Sequence, residues 1–325
     1  MRQGVVLAAV SSRGAVGLDR SAKVLVGFDR SGSRVWSDRK ALDTGATFTC
    51  LDQCPDAILS GSRDTAGPDP VPWRPGIGTA SPFPVSAAHH RRVLTVRSPT
   101  DAVVEEGDSA GSTWLRLVRP DKEQRVAVPD RDYLWTESPD RSTALAFTRT
   151  PGAPHAQLRW FVRDTAGWRT AGAPLDRGQV SGACVADGGD VALLTGRDAA
   201  WLLDRGRRVP LRTDLSFAGE CSIGKRGGAV LERSAGTTDP LRTAIRGIGL
   251  DGRQTWARDY RGEAFVASDP DGRRFALVHD GLMDMIDAGG AVLHTEPDVR
   301  SAMFTEAGEL VVASLGGRVR WLPPH

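Results

Sequence analysis

The chain has 325 residues, of which 40% are hydrophobic, 37 are glycine and 20 are proline. Its 42 basic and 40 acidic residues are interspersed and leave a net charge of only +2, so no concentrated charge favours nucleic acid or an anionic membrane. No apolar stripe with the helical period extends for more than a few turns. This disfavours a helical bundle and predicts a turn-rich all-β fold.

The first apolar segment of the chain, Val5 to Val10, follows a single positive charge. It is shorter than most signal-peptide cores and far shorter than a membrane span. We therefore predict a first β-strand here and no membrane span in this chain. The alternative is that residues 1–23 are the remnant of a truncated N-terminal segment.

One pattern then recurs along the chain: a small or polar residue, a turn rich in Asp, Gly and Pro, and a short apolar strand. Seven copies begin at Cys50, His89, Glu137, Cys184, Cys221, Ser268 and Thr305. Their spacing of roughly 35 to 50 residues is that of the four-stranded blades of a β-propeller. We interpret the segment from His89 to Arg92 as the solvated turn of the second copy; a contact with a phosphate or a metal is the alternative.

A second hairpin pattern lies between these copies, with an apolar strand that ends in Asp and a glycine-containing turn. It is found at Val24–Ser37, Trp201–Leu211, Ile248–Ala257 and Met283–His294. Two hairpins in each period give four strands per blade. The prediction is a β-propeller of about seven four-stranded blades in a single domain, residues 1–325; six or eight blades also fit, because the closing strands cannot be aligned.

Three of these repeats carry Gly-x-x-x-Trp after a strand, at Gly32/Trp36, Gly252/Trp256 and Gly317/Trp321. In this respect the chain resembles the quinoprotein-type and WD-repeat-like β-propeller superfamily. The resemblance implies a glycine turn followed by a tryptophan that packs between blades. It extends over nearly the whole chain in period but over three blades in motif, so it supports the architecture and carries no function with it.

The four cysteines also follow the repeat. Cys50, Cys184 and Cys221 have the same offset from the strand that follows them, and equivalent positions of neighbouring blades lie close together. We predict a disulfide between Cys184 and Cys221 and a local one between Cys50 and Cys54. Four buried free thiols are the alternative. Zinc is disfavoured because no second Cys or His pair lies at ligand spacing.

Known catalytic signatures are absent from the sequence. It has no Gly-x-Ser-x-Gly elbow, no His-Glu-x-x-His helix, no phosphate-binding loop and no complete Asp-box. The turn Asp269-Pro-Asp-Gly-Arg lacks the later acidic ligand of a calcium loop. The acidic segment Glu105-Glu106-Gly-Asp108 is interpreted as a surface loop. No catalytic, cofactor-binding or metal-binding residue is therefore predicted, and no cofactor.

The leading hypothesis is a non-enzymatic scaffold that binds a protein or peptide through turns held on a rigid frame. The candidate contact residues come from the turns of successive repeats and carry both charge signs: Gln53, His89, Arg91, Asp140, Asp187, Lys225, Asp269 and Glu306. A glycan partner is possible, through an extracytoplasmic glycosidase or lyase with paired acids, or through a carbohydrate-binding module in which Trp168 lies exposed in a turn. A nucleic-acid partner is not expected.

Two further expectations concern the origin of the chain and its compartment. Lys23, Lys40, Lys122 and Lys225 are the only lysines among the 42 basic residues, which indicates a GC-rich, actinobacterial source. An even number of cysteines in pairing geometry predicts an extracytoplasmic or membrane-anchored protein. The alternative with free thiols leaves the cytoplasm open.

Overall fold

The computed structural model consists of β-strands joined by turns, and no helix occurs in the residues that it describes. These residues are 4–38, 47–50, 54, 57–60, 73–74, 78–79, 90–98, 101–108, 110, 112–119, 123–128, 133–148, 156–177, 180, 182–196, 200–203, 207–213, 215, 220–234 and 241–323. No described helix is long and apolar enough to cross a membrane.

The chain divides into two compact units. Unit 1 consists of Met1–Arg131, Arg163–Arg169 and Gly316–Trp321, and unit 2 contains the remaining residues. In both units the backbone turns back on itself at short intervals, because Gly, Asp and Pro interrupt the apolar strands every few residues.

The first strands form one four-stranded sheet, two hairpins and a second four-stranded sheet. The first sheet contains β1 (Val5–Val10), β2 (Gly14–Asp19), β3 (Val24–Asp29) and β4 (Arg34–Asp38). The hairpins are β5 (Thr47–Cys50) with β6 (Ala57–Ser60), and β7 (Trp73–Arg74) with β8 (Gly78–Thr79). The second sheet contains β9 (His90–Ser98), β10 (Asp101–Gly107), β11 (Thr113–Val118) and β12 (Glu123–Val128).

Four more four-stranded sheets and one three-stranded sheet follow, in chain order. The first two contain β13 (Tyr133–Glu137), β14 (Thr143–Thr148), β15 (Ala156–Asp164) and β16 (Gly167–Arg177), then β17 (Gly182–Val185), β18 (Val191–Thr195), β19 (Ala200–Leu203) and β20 (Arg207–Pro210). The next two contain β21 (Glu220–Gly224), β22 (Gly227–Ser234), β23 (Arg242–Gly249) and β24 (Gln254–Arg261), then β25 (Ala264–Ser268), β26 (Arg274–His279), β27 (Leu282–Asp287) and β28 (Val292–Pro297). The last contains β29 (Val299–Phe304), β30 (Leu310–Ser314) and β31 (Val319–Leu322).

Within unit 2 the sheets pack through their first strands and through buried apolar side chains. β13 contacts β17, β17 contacts β21, β21 contacts β25 and β25 contacts β29. One core cluster joins Leu231, Ile245 and Trp256 to Phe275 and Leu277 of the following sheet. A face-to-face stack of twisted sheets is thereby stabilised by burial, which contributes about 25 cal/mol for each Å² of apolar surface.

Two tryptophans of the Gly-x-x-x-Trp motif pack against a glycine that lies directly opposite on the neighbouring strand. Trp36 faces Gly27, and Trp256 faces Gly247, each beside a β-bulge. A Cβ atom on either glycine would overlap the indole ring. At the same register in β27 and β28, Met285 lies opposite His294. In this pair Met replaces the glycine of the other two pairs, and the imidazole ring of His294 replaces the larger indole ring.

A disulfide joins Cys184 of β17 to Cys221 of β21, with the Cα atoms 6.1 Å apart. The bridge thus connects the first strands of two consecutive sheets, as the shared offset in the repeat predicts. Cys54 is buried and is also in a disulfide. The side chain of Cys50, its predicted partner, lies outside the described residues.

Several sequence-based interpretations are confirmed or corrected at this level. Val5–Val10 is a strand, as predicted. The segment His90–Arg92, interpreted as a turn, is instead the start of the long strand β9. Glu105 and Glu106, interpreted as a surface loop, are buried in β10, where Glu106 pairs with Arg116 at 2.9 Å.

Trp168, the residue on which the carbohydrate-binding alternative rested, lies in β16 and is only 2% exposed. A ring that stacks on a sugar must present a face to solvent. Trp168 therefore belongs to the core, and this expectation is wrong.

Candidate protein-interaction site

Five turns of unit 2, each between the first and second strand of its sheet, lie next to one another. We call them the turn row, which consists of residues 138–143, 186–191, 225–226, 269–274 and 305–309. The strand contacts between successive sheets bring these turns together, since each turn directly follows a first strand.

Four of the turns have the same backbone hydrogen bonds. In each, the N–H of the fourth residue donates to the carbonyl of the first, as from Gly272 to Asp269 at 2.9 Å. The fourth residue has a positive φ, and it is Gly189, Gly272 or Gly308 in three turns. The other turn has Arg141 there, with φ of 53°. The turn chemistry explains why Gly recurs at this position, because a side chain is strained at positive φ.

Neighbouring turns are also hydrogen-bonded to each other. The backbone N–H of Asp140 donates to Asp187 Oδ1 at 2.7 Å, and the N–H of Gly188 donates to Asp140 Oδ2 at 3.2 Å. Lys225 and Arg226 donate their backbone N–H groups to the carbonyls of Pro270 and Asp271. These bonds fix the first turn to the second and the third turn to the fourth.

The fourth and fifth turns of the row are connected by the side chain of Arg274. Arg274 Nε donates to Asp269 Oδ2 at 3.1 Å, within its own turn, and Arg274 Nη2 donates to the carbonyl of Gly308 at 2.7 Å in the next. Asp269 Oδ1 also accepts the backbone N–H of Arg273 at 2.8 Å. Charge-assisted bonds of this kind are stronger than neutral ones, so they stiffen the last two turns.

The two carboxyl groups at the start of the row have opposite pKa shifts. Burial, together with the nearby charge of Asp140, raises the pKa of Asp187 to about 6. The carboxyl group of Asp140 is only partly covered by its neighbours. This partial burial disfavours its ionisation, but hydrogen bonds from Ser138 and Ser142 outweigh it and lower the pKa of Asp140. Lys225 partly offsets the shift of Asp187.

Five of the eight predicted contact residues have side chains that the structure describes, and these five divide into two groups. Asp140, Lys225 and Glu306 are exposed on the turn row, whereas Asp187 and Asp269 are buried and hold the turns in shape. Gln53 and His89 lie outside the described residues. Arg91 is in strand β9, opposite Glu106, and its side chain is also outside the described residues.

The sequence interpretation missed exposed neighbours of these residues in the same turns. They are Asp190, Arg226, Asp271 and Arg273. All four lie in turns that the sequence repeat locates. The repeat therefore predicts which turns form the surface, but it does not predict which side chains of each turn are exposed. In the described part of the chain, no group of three or more His, Cys, Asp or Glu side chains is arranged to hold a metal ion.

The raised pKa of Asp187 predicts a pH dependence of stability. The folded protein binds a proton at Asp187 up to a higher pH than the unfolded chain, so the free energy of unfolding should fall as the pH rises from about 4 to about 6. Asp187→Asn removes this penalty and still offers an oxygen to the Asp140 N–H. We expect the variant to exceed the wild type by about 1–3 kcal/mol at pH 7.5 and to equal it near pH 4.

Denaturant unfolding at both pH values measures this difference. Asp190→Asn is the matched control, because Asp190 is in the same turn but is exposed, and it should change stability by less than about 0.5 kcal/mol at either pH. A difference between wild type and Asp187→Asn that does not vary with pH would contradict the assigned cause.

No known protein-family model matches the sequence, and no curated protein is detectably similar to it. Solved structures are similar in fold. Sqt1 from Chaetomium thermophilum aligns with a TM-score of 0.54 and 14% identity over 100% of this chain and 97% of Sqt1. Sqt1 from the same organism, bound to the N-terminus of the ribosomal protein L10, aligns with a TM-score of 0.51 and 13% identity over 98% and 92%. Together with the repeated antiparallel sheets, these alignments show that the chain has a β-propeller fold.

Proposed function

We propose that this protein is a non-enzymatic scaffold that binds a protein or peptide partner through the turn row, with residues 1–325 acting as one domain. The observation that carries the proposal is the set of hydrogen bonds between neighbouring turns, such as that from Asp140 N to Asp187 Oδ1 at 2.7 Å. A surface whose loops are already fixed loses little conformational entropy on binding, which favours affinity.

The exposed charges of the turn row are ordered along it. Asp140 and Asp190 are acidic, Lys225 and Arg226 are basic, Asp271 and Arg273 supply one charge of each sign, and Glu306 ends the row with a further acid. A partner segment with the reverse order of charges would be complementary, and such complementarity selects partners and their register more than it adds affinity. Alternating charges suit a polypeptide better than a uniformly charged polymer.

Two further lines support a polypeptide partner and an oxidising compartment. Sqt1, which is similar in fold alone, is seen bound to the N-terminus of the ribosomal protein L10. The disulfide between Cys184 and Cys221 favours an extracytoplasmic location, since such bonds persist in oxidising compartments. We further propose an actinobacterial source, on the preference for arginine over lysine.

A charge reversal in one turn tests the proposal. Lys225→Glu combined with Arg226→Glu replaces the basic pair at the middle of the turn row with two acids. The double variant should capture at least tenfold less of any partner that the wild-type protein captures, because the new acids repel acidic groups of that partner. Affinity capture with quantitative mass spectrometry measures the loss, and cross-linked peptides should contain residues of the turn row. Both side chains are exposed, so folding should be preserved.

The matched control reverses one arginine and one lysine in a turn of unit 1. Arg20→Glu combined with Lys23→Glu alters the exposed turn between β2 and β3, with the same change in net charge. This variant should capture the partner as the wild type does. Equal loss in both variants would assign the effect to net charge, and equal capture by both would contradict binding through the turn row.

A second candidate function is a glycosidase or lyase, which the opposite pKa shifts of Asp140 and Asp187 favour. Glycoside hydrolysis by a pair of carboxyl groups needs one of them protonated and the other ionised. In this structure, however, both groups accept hydrogen bonds from the backbone or side chains of the turns, and Asp187 is only 8% exposed. Turnover of a glycan that Asp187→Asn abolishes would favour this candidate over the scaffold.

A further inference from the structure

A pocket of about 440 Å³ lies in unit 2 at the end of strands β22, β23 and β24. Six of its lining residues form two rows across these strands. Glu232, Ala244 and Asp259 are paired in one row, and Ser234, Arg242 and Arg261 are paired in the next. Since side chains alternate along a strand, both rows are on the same face of the sheet.

This face changes in character along the strands. Val230 and Ile248 pack in a core cluster with Trp201. Arg246 follows and is buried, and its Nη1 atom donates to Asp259 Oδ1 at 2.9 Å. Beyond Arg246 the face opens into the pocket, and most of the side chains that line the pocket are polar or charged.

Ser234, Arg242 and Arg261 are exposed at the pocket, and none of their side chains has a hydrogen-bond or ion-pair partner among the described residues. The acids of the other row differ, since Asp259 is paired with Arg246 and Glu232 also has an interaction partner. Two arginines directly opposite each other repel, which destabilises a sheet. A bound anion that contacts both guanidinium groups would offset this repulsion.

We propose that this pocket binds a small phosphate monoester. Two guanidinium groups and a hydroxyl group supply several hydrogen-bond donors, and their two positive charges match a phosphate monoester, which carries about −1.5 to −2 at pH 7. The pocket volume is in the range of small-molecule sites and exceeds what a phosphate group fills. Glu232, Ala244 and Tyr260 line the remaining space, which suits an organic part that carries hydroxyl groups.

Isothermal titration in a phosphate-free buffer tests this assignment with glycerol 3-phosphate as the probe. We expect saturable binding that weakens with added salt. Arg242→Gln and Arg261→Gln should each weaken binding at least tenfold, and Ser234→Ala should weaken it severalfold. Malate, a dicarboxylate, should bind at least tenfold more weakly than glycerol 3-phosphate, and glycerol should not bind.

Arg253→Gln is the control, because Arg253 is an exposed arginine at the opposite end of the β23–β24 hairpin and is not part of the pocket lining. The affinity of the Arg253→Gln variant for glycerol 3-phosphate should stay within about twofold of that of the wild type. Thermal unfolding without ligand shows that each variant is folded, and Arg242→Gln should not lower the midpoint, since it removes a repulsion. Absence of saturable binding up to about 10 mM, equal binding by the pocket variants, or equal affinity for malate would each overturn the assignment.

Discussion

Replacing both Cys184 and Cys221 with serine should lower the free energy of unfolding by about 3–4 kcal/mol. The bridge closes a loop across a sequence separation of 37 residues, and in the chain-entropy model a loop of this length restricts the unfolded chain by about that amount. Guanidinium unfolding of the oxidised wild type and of the double variant measures the difference. The m-value should rise in the variant, because its unfolded state is less compact.

Reduction of the wild type provides the comparison. The reduced protein should be at least as unstable as the double variant, since reduction also opens the disulfide of Cys54. A change in the free energy of unfolding below about 0.5 kcal/mol in the double variant would show that the bridge does not constrain the unfolded chain.

The second large effect is expected for Gly247→Ala. A methyl group at this position would overlap the indole ring of Trp256, which packs edge to face against Phe275 at 5.2 Å. The buried ring has no room to retreat, so overpacking should destabilise the protein by about 2–3 kcal/mol. Chemical unfolding measures the loss, and near-ultraviolet circular dichroism should report the displaced tryptophan.

Gly289→Ala is the matched control, because a Cβ atom there would meet only Asp287 Oδ1, at 3.4 Å. It should change stability by less than about 0.5 kcal/mol. Combining Gly247→Ala with Trp256→Leu should cost less than the sum of the two single changes, since the smaller side chain removes the overlap. Strict additivity would show that the indole ring is not the cause.

The fold could be predicted because its determinants are local and periodic. The Asp, Gly and Pro residues of turns such as 269–274 set the positions where strands end, and these positions recur along the chain. The shared offset of Cys184 and Cys221 then located a disulfide that the structure contains. The segment from His90 to Arg92 was misread because its charged residues occupy a strand, where charge gives no turn signal.

The parts of the site that could not be predicted depend on contacts between distant residues. Asp187 is buried because the turn of Asp140, 47 residues earlier, covers it. Glu106 is buried because Arg116 lies across the β10–β11 hairpin and compensates its charge. Likewise, Arg242 and Arg261 lie opposite each other only in the register of β23 and β24. A charged residue in a sequence does not reveal which of these situations it occupies.

The disulfide between β17 and β21 also has a mechanical consequence. A chain pulled from its ends extends by its contour length, and the covalent link removes the 37-residue interval between Cys184 and Cys221 from that length. At about 3.4 Å for each residue, the hidden length is on the order of 120 Å. The strands enclosed by the loop therefore bear no tension while the bridge is intact, and reducing it converts a shielded segment into one that transmits force.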